Sequence, residues 1–362
     1  MGRIYFYCCP PRSLTWTAYQ HVPICIAEGL KTIGVEFFSN INYWQTVPGQ
    51  EAYLFRHDPG VTPDDCTVVV LNNYWLDYGN VFPKDLLHSG RKYRTVYLDT
   101  ADGIRTRSWD PLFRKFDFIF KLSMNTGCYY PSNVHPWAFG LSNRIVKELQ
   151  DPAPFSKRKK CIMVNYRVRH YFRSIADRVF IDQIQSILPI DRNIDLCDAA
   201  PDDPYHYLYW KQSGRHYPNY YGRLKQTAAC ACFGGYPVPP RPRDQSAPKM
   251  PWHSVMNLLD RRQRRIVQWD SWRFWESLSA GCAAFHFDFD KYGFLLPVMP
   301  ENRKHYFGID LDAVDDAIRI LRSNIGILEK ISEEGRRWAI EHYSPEPTAR
   351  RFLKTIGCED IR

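Results

Sequence analysis

Short runs of consecutive apolar residues alternate along the chain with longer segments whose apolar positions recur every three to four residues. In the first half the short runs are IYFYCC (4–9), VEFFSN (35–40), CTVVVLNN (66–73), TVYLD (95–99) and FDFIF (116–120). A segment of helical period from about Thr15 to Ile33 separates the first two. A strand buried on both sides has no polar face to alternate with, so these runs predict a parallel sheet covered by helices. Prolines and a basic run break the pattern at LQDPAPFSKRKK (149–160), which predicts a linker. It restarts with strands at CIMVN (161–165), NIDLCDA (193–199), ACACFGG (229–235) and CAAFHF (282–287), and helices over 172–187 and 219–227. LDAVDDAIRILRSN and GILEKISEEGRRWAIEHYS carry apolar residues at i, i+3, i+4 and predict two helices near the C-terminus.

This reads as an α/β protein of two Rossmann-like domains whose parallel sheets face each other across a cleft. The expected bounds are 1–148, 149–345, and a closing helix at 346–362 that crosses back to the first domain. A chain of 362 residues exceeds one ordinary core, in keeping with two. The start, MGRIYFYCCPPR, does not read as a secretory leader, and no apolar stretch reaches the ~18 residues of a membrane span. Eleven cysteines lie scattered without a CxxC pair, which fits a reduced, cytoplasmic protein, with peripheral membrane contact left open. The net charge of +9 suits an anionic ligand, a nucleic acid or an anionic membrane surface and does not choose among them. Aromatic residues are plentiful, 23 Tyr and 11 Trp, and such rings line sugar or base sites as well as cores. The absence of a Walker loop, G-x-G-x-x-G, H-E-x-x-H and G-x-S-x-G removes P-loop ATPases, the common dehydrogenases and the common hydrolases.

The stretch WDSWRFWESLSAGCAAFHFD (269–288) sets Arg273 in the first turn of a short predicted helix and Glu276 three residues later. A helix start is already the positive end of the dipole and offers free N–H groups, so a cation there disfavours the free protein and favours a docked anion. Glu276, on the same face, is placed to accept hydrogen bonds from a vicinal diol such as a ribose. The bland alternative is an exposed i,i+3 ion pair worth about 0.2–0.5 kcal/mol.

The run R-F-W-E-S-L-S-A-G-C-A-A-F before a strand resembles the nucleotide-binding segment of GT-B glycosyltransferases, and YYGRLKQTAACACFGGY (220–236) resembles the stretch preceding it in exostosin-like members. Roughly residues 155–345 share the resemblance. It implies that Glu276 holds the donor ribose. Where retaining members often carry a second Glu, eight residues earlier, this chain has Gln268. VNYRVRHYFRS resembles the R-x-x-x-R of phage DNA β-glucosyltransferases, which implies Arg169 and Arg173 on the diphosphate, Arg167 or His170 being substitutes. The same resemblance at TVYLDTADGIRTRSW implies Asp99 or Asp102 as the base; either could instead cap the following turn.

Lys121 is a further candidate for the donor phosphates, with a snorkelling surface lysine as the alternative. His21 and Trp16 are candidates for the acceptor side. DFD (288–290) and DLD (310–312) match a metal-chelating D-x-D, but their late position suits turns and caps, and no metal site or cofactor is expected. RRQRR (261–265) and PPRPR (239–243) are solvated loops or a track for an anionic acceptor. The expected activity is a metal-independent, inverting transfer of a sugar from a UDP- or GDP-linked donor to a glycan, lipid-linked or small-molecule hydroxyl. The alternatives are a DNA-modifying glucosyltransferase and a non-catalytic nucleotide-sugar-binding protein.

Overall fold

Two all-parallel sheets carry the chain. The computed structural model describes residues 2–9, 20–47, 50–101, 110–166, 171–193, 218–238 and 265–361. The first sheet contains β1 (Ile4–Tyr7), β2 (Phe37–Ser39), β3 (Val68–Asn72), β4 (Arg94–Asp99), β5 (Phe118–Lys121) and β6 (Val134–Pro136), in the order β2-β1-β3-β4-β5-β6. The second contains β7 (Lys159–Met163), β8 (Ile190–Asp191), β9 (Thr227–Ala231), β10 (Ala283–Phe287) and β11 (Phe307–Ile309), in the order β8-β7-β9-β10-β11. Every residue of β3, β9 and β10 is buried, which is why their sequences read as unbroken apolar runs.

Four elements depart from the sequence expectation. The strand expected at 193–199 forms earlier, at β8, and residues 194–200 lie outside the described residues. Strands β6 and β11, three residues each, are too short to show a period, and Pro136 ends β6 at a sheet edge, where a missing N–H is tolerated. The helix expected over 172–187 is α-helical over Tyr171–Ala176, widens to a π-turn over Asp177–Ile181 and closes at Asp182–Ile184.

The second core is entered before residue 149. Ala138, Leu141, Ile145 and Leu149 all belong to it. Ser142 caps the short helix Asn143–Glu148 through its hydroxyl, which accepts from Ile145 N, and this sinks Ile145 and Leu149 into the core. The prolines that follow mark a surface bend rather than the point of crossing.

Six helices matter below: α1 (His21–Thr32), α2 (Pro218–Lys225), α3 (Trp272–Ser279), α4 (Val314–Ser323), α5 (Ile327–Tyr343) and α6 (Pro345–Thr355). Helix α6 packs along α1, and its Phe352 and Leu353 lie in the first core, so the end of the chain returns to the first sheet. The two halves are also sewn together beyond β5. Met124–Asn125 pairs antiparallel with Phe294–Leu295, Thr126 N donates to Gly293 O at 2.8 Å, and Asn125 Nδ2 donates to Tyr292 O at 2.7 Å. From the other side Trp269 Nε1 donates to Met124 O at 3.1 Å. Among the described residues no helix is long and apolar enough to cross a membrane.

The α1–α6 contact is close enough to reverse a familiar rule. Gly→Ala in a helix ordinarily stabilises by about 1 kcal/mol. At Gly29, however, a Cβ would sit 1.9 Å from Pro345 O and 2.7 Å from Ala349 Cβ. Gly29→Ala is therefore expected to destabilise by about 1–3 kcal/mol in urea unfolding, as overpacking does; a gain in stability would show that the helices are not in this contact.

Candidate active site

The second sheet's carboxyl edge meets the start of α3, and the local sequence explains why the helix sits there. Phe274, Trp275 and Leu278 form its buried stripe: Phe274 packs on His286 and Phe289, and Trp275 on Tyr343 with centroids 4.4 Å apart. Trp275 Nε1 donates to Asp270 Oδ1 at 2.7 Å, and Ser277 Oγ lies 3.3 Å from Cys232 Sγ beyond β9. Gly281, at φ +66°, ends the helix and turns the chain into β10. Ser271 is the N-cap in an extended conformation, but its hydroxyl makes no capping bond, and the first turn holds no acidic residue. The end of α3 that attracts anions is thus left unneutralised by its own side chains.

Arg273 leans from this first turn over Tyr166, with its guanidinium carbon 5.8 Å from the ring centroid. Arg173 approaches the same ring at 5.4 Å and is held by donation from its Nε to Phe233 O at 2.8 Å. Two guanidiniums thus share one aromatic ring that is 3% exposed. Tyr166 OH, Gln268 Oε1, Ser271 Oγ and Arg273 Nε are all buried without a hydrogen-bond partner among the described residues. Buried polar atoms are nearly always paired, and four unmet atoms on residues around one helix start leave hydrogen-bonding capacity there that a polar ligand could use. Gln268 also takes a left-handed φ of 56°, an unusual conformation for a residue with a side chain. Burial first, and then the Asp177 carboxylate, push the Tyr166 hydroxyl well above its usual range against the opposing pull of Arg273 and Arg173, so it remains a neutral donor.

Glu276 lies one turn along α3 and is buried. Its Oε1 accepts from Tyr221 OH at 2.8 Å and its Oε2 from Tyr220 OH at 3.3 Å. The structure thus brings Arg173, Arg273 and Glu276 together around Tyr166, Tyr220 and Tyr221. Arg169, Asp102 and Trp16 lie outside the described residues, as do residues 239–250 and 251–264, which hold most of both basic clusters.

The remaining candidates are elsewhere. Asp99 ends β4 beside Lys121 of β5, in register, with Oδ2 and Nζ 3.6 Å apart. Both side chains are sealed from solvent, so Lys121 neither snorkels nor reaches across a cleft, and Asp99 does not face an acceptor in this packing. Once desolvated, two opposite charges on adjacent strands are held by each other. His21 is likewise buried: Nε2 lies 3.2 Å from Gly140 O, and the ring is 5.1 Å from that of Trp272 at the start of α3. Burial lowers its pKa to about 4, so it is a neutral junction residue. Asp288 caps the short helix Phe289–Tyr292 and accepts from Asn302, while Asp310 and Asp312 pair with Lys291. No group of three His, Cys, Asp or Glu side chains among the described residues could hold a metal ion.

Sequence reasoning passed over Tyr166, Tyr220, Tyr221 and Arg144 as individual site residues. The signal for the first three was the tyrosine excess, and for two of them the YY pair that opens the quoted 220–236 stretch.

No protein-family model and no curated protein matches the chain. Solved structures do. An alpha-glucosyltransferase in complex with UDP-glucose and DNA containing an abasic site is similar over 98% of this chain and 99% of that one, at 11% identity and a TM-score of 0.50. An alpha-glucosyltransferase with UDP and a 13-mer DNA containing an HMU base gives the same four values. The chain has the GT-B fold. HepE of Anabaena in complex with UDP is similar over 99% of this chain and 100% of that one, at 11% identity and a TM-score of 0.45. In a GT-B fold the carboxyl edges of the two sheets face one cleft, and the α3 cluster lies on the edge that the second sheet contributes.

Asp270, just ahead of α3, ties this edge to the first half. It accepts from Phe139 N at 2.9 Å and from Trp275, and burial raises its pKa to about 7. The folded state therefore binds this proton more tightly than the unfolded chain, so ionisation costs stability as pH rises from about 4 through 7. Asp270→Asn forfeits one acceptor and is expected to be destabilised, by most at pH 5 and by progressively less toward pH 8. Urea unfolding at four pH values reads this; a deficit that grows with pH would refute the raised pKa.

Proposed function

We propose that the protein transfers a sugar from a nucleoside-diphosphate donor, UDP- or GDP-linked, to an acceptor hydroxyl. The observation that carries this reading is the pair of guanidiniums on Tyr166 beside the uncapped start of α3, with unmet polar atoms around them. Planar guanidiniums and helix N–H groups suit phosphate oxygens, and they would stabilise the departing diphosphate without a metal ion. Glu276, one turn away, would take the ribose. Arg169 would add to the phosphate grip from the same chain segment as Arg173. The free cysteines support a reducing compartment, and we place the reaction in the cytoplasm.

For the acceptor, a glycan, lipid-linked or small-molecule hydroxyl is the first reading. DNA is the second, supported by the net charge of +9 and by the DNA held in the two solved structures of TM-score 0.50. Transfer of labelled sugar to duplex DNA carrying hydroxymethylated bases, against glycan and lipid-linked acceptors, separates them. Donor hydrolysis by the protein alone distinguishes either from a non-catalytic binder. With Asp99 enclosed against Lys121, inversion rests on Asp102 as base: an inverted anomer by NMR and lost turnover in Asp102→Asn are expected, and a retained anomer ends that reading.

The donor site itself has a direct test. Arg273→Ala and Glu276→Ala are each expected to weaken UDP or GDP binding by roughly tenfold or more in calorimetry, the scale of one lost charge-assisted hydrogen bond. Should both variants bind every nucleotide as tightly as the parent, the site assignment fails.

A further inference from the structure

The carboxylate of Glu276 is the end of a buried hydrogen-bond chain that begins at Arg144, a residue anchored next to α1. Glu28 of α1 accepts from Asn143 N at 2.7 Å, at the start of the short helix Asn143–Glu148. The next residue, Arg144, is 3% exposed and donates from Nη1 to Tyr221 OH at 3.1 Å. Tyr221 in turn donates to Glu276 Oε1 at 2.8 Å. Arg144 also lies 3.7 Å from Glu148 and stacks its guanidinium 5.6 Å from the Tyr221 ring centroid. A guanidinium has donors only, so its bond to Tyr221 OH requires the phenol oxygen to accept, which turns the phenol hydrogen toward Glu276. The direction of the chain is therefore fixed by chemistry, and each bond polarises the next.

We infer that Tyr221, oriented by Arg144, is a positioning residue that aims the Glu276 carboxylate at the donor ribose; this rests on the donor-site reading above. A carboxylate offers about four lone-pair sites. Tyr221 and Tyr220 occupy one on each oxygen, which leaves one on each for the two hydroxyls of a vicinal diol. The tyrosines hold the acceptor's plane without consuming its capacity. Tyr220, at 3.3 Å, is the weaker of the two holders. A purely structural network would stabilise the fold but would not affect how the site distinguishes a ribose from a deoxyribose.

The test is the ratio of dissociation constants for 2′-deoxy-UDP and UDP, or for the guanosine pair if GDP binds better, measured by calorimetry on the whole protein. The parent should prefer the ribonucleotide by roughly tenfold, the scale of one hydrogen bond to a charged group. Tyr221→Phe should bring that ratio down by about threefold or more, Tyr220→Phe by less, with the ratio not following the melting temperature of each variant. Arg144→Lys, which keeps the charge and loses the planar fork, should shift the ratio in the same direction and serves if Tyr221→Phe does not fold. An unchanged ratio in the folded variants overturns the inference. Glu276→Gln separates the two levels: if it abolishes the preference while Tyr221→Phe leaves it intact, only the positioning role fails. If it changes neither affinity nor ratio, the donor-site reading fails as well.

Discussion

One junction governs the geometry: the turn Gln268–Ser271 of the second half locked onto the segment Ser123–Thr126 of the first. Trp269 donates to Met124 O and stacks on Phe294 at 4.7 Å, while Asp270 N donates to Ser123 Oγ. Ser123 and Gln268 both hold left-handed backbones there, at φ 55° and 56°. Neither residue is a glycine, so the conformation persists only because the surrounding bonds over-determine it. This turn ends on Ser271, the N-cap of α3, and the first turn of the helix follows. The same lock that fixes one half against the other therefore also fixes where Arg273 stands.

That position is costly to the free protein and informative for the same reason. Arg273 sits at the helix end whose dipole opposes it, over a ring it shares with Arg173. Cation–π attraction of about 0.5–2 kcal/mol for each guanidinium offsets part of the repulsion without neutralising either charge. A carboxylate would neutralise one of the two, yet Glu276, the acidic residue of α3, is instead held by two phenols. The tyrosines keep acid and base apart in an interior where they would otherwise collapse into an ion pair. On the proposed function, that separation leaves both free to meet a ligand carrying a diphosphate on one side and a diol on the other.

Much of this was legible in the sequence, and the limits are physical. The sheets showed because strands buried on two faces leave continuous apolar runs, as at Val68–Asn72 and Ala283–Phe287. Arg273 and Glu276 could be placed on one helix start from the sequence because that spacing is local. Lys121 did not, because its partner Asp99 lies on the neighbouring strand and parallel register is not written in either segment alone. His21 read as a cleft residue because its burial depends on Trp272, some 250 positions away. Tyr166, just past β7, meets Arg273 of α3 only in the folded chain, so no local pattern pointed to it. Tyr221 was visible in the YY pair, but its tie to Arg144 needed the crossing of the chain into the second core before residue 149.

The interior beneath the site is also balanced in protons. Burial raises Glu28 and Asp270 to about 7, and lowers His21 and His286 to about 4. Between about pH 4.5 and 6.5 the folded protein thus holds protons on both carboxyls and on neither imidazole. The unfolded chain does the reverse, since its imidazoles titrate at 6.5 and its carboxyls at 4.5 and 3.8. The raised carboxyls therefore cost stability as pH rises while the lowered imidazoles add to it, so the two pairs act in opposite directions across that window. Three of the four line the contact between the halves: Glu28 on Asn143 N, Asp270 on Phe139 N, His21 on Gly140 O and against Trp272. These three junction groups are thus uncharged in that range, and the buried charge beside them is the guanidinium of Arg144.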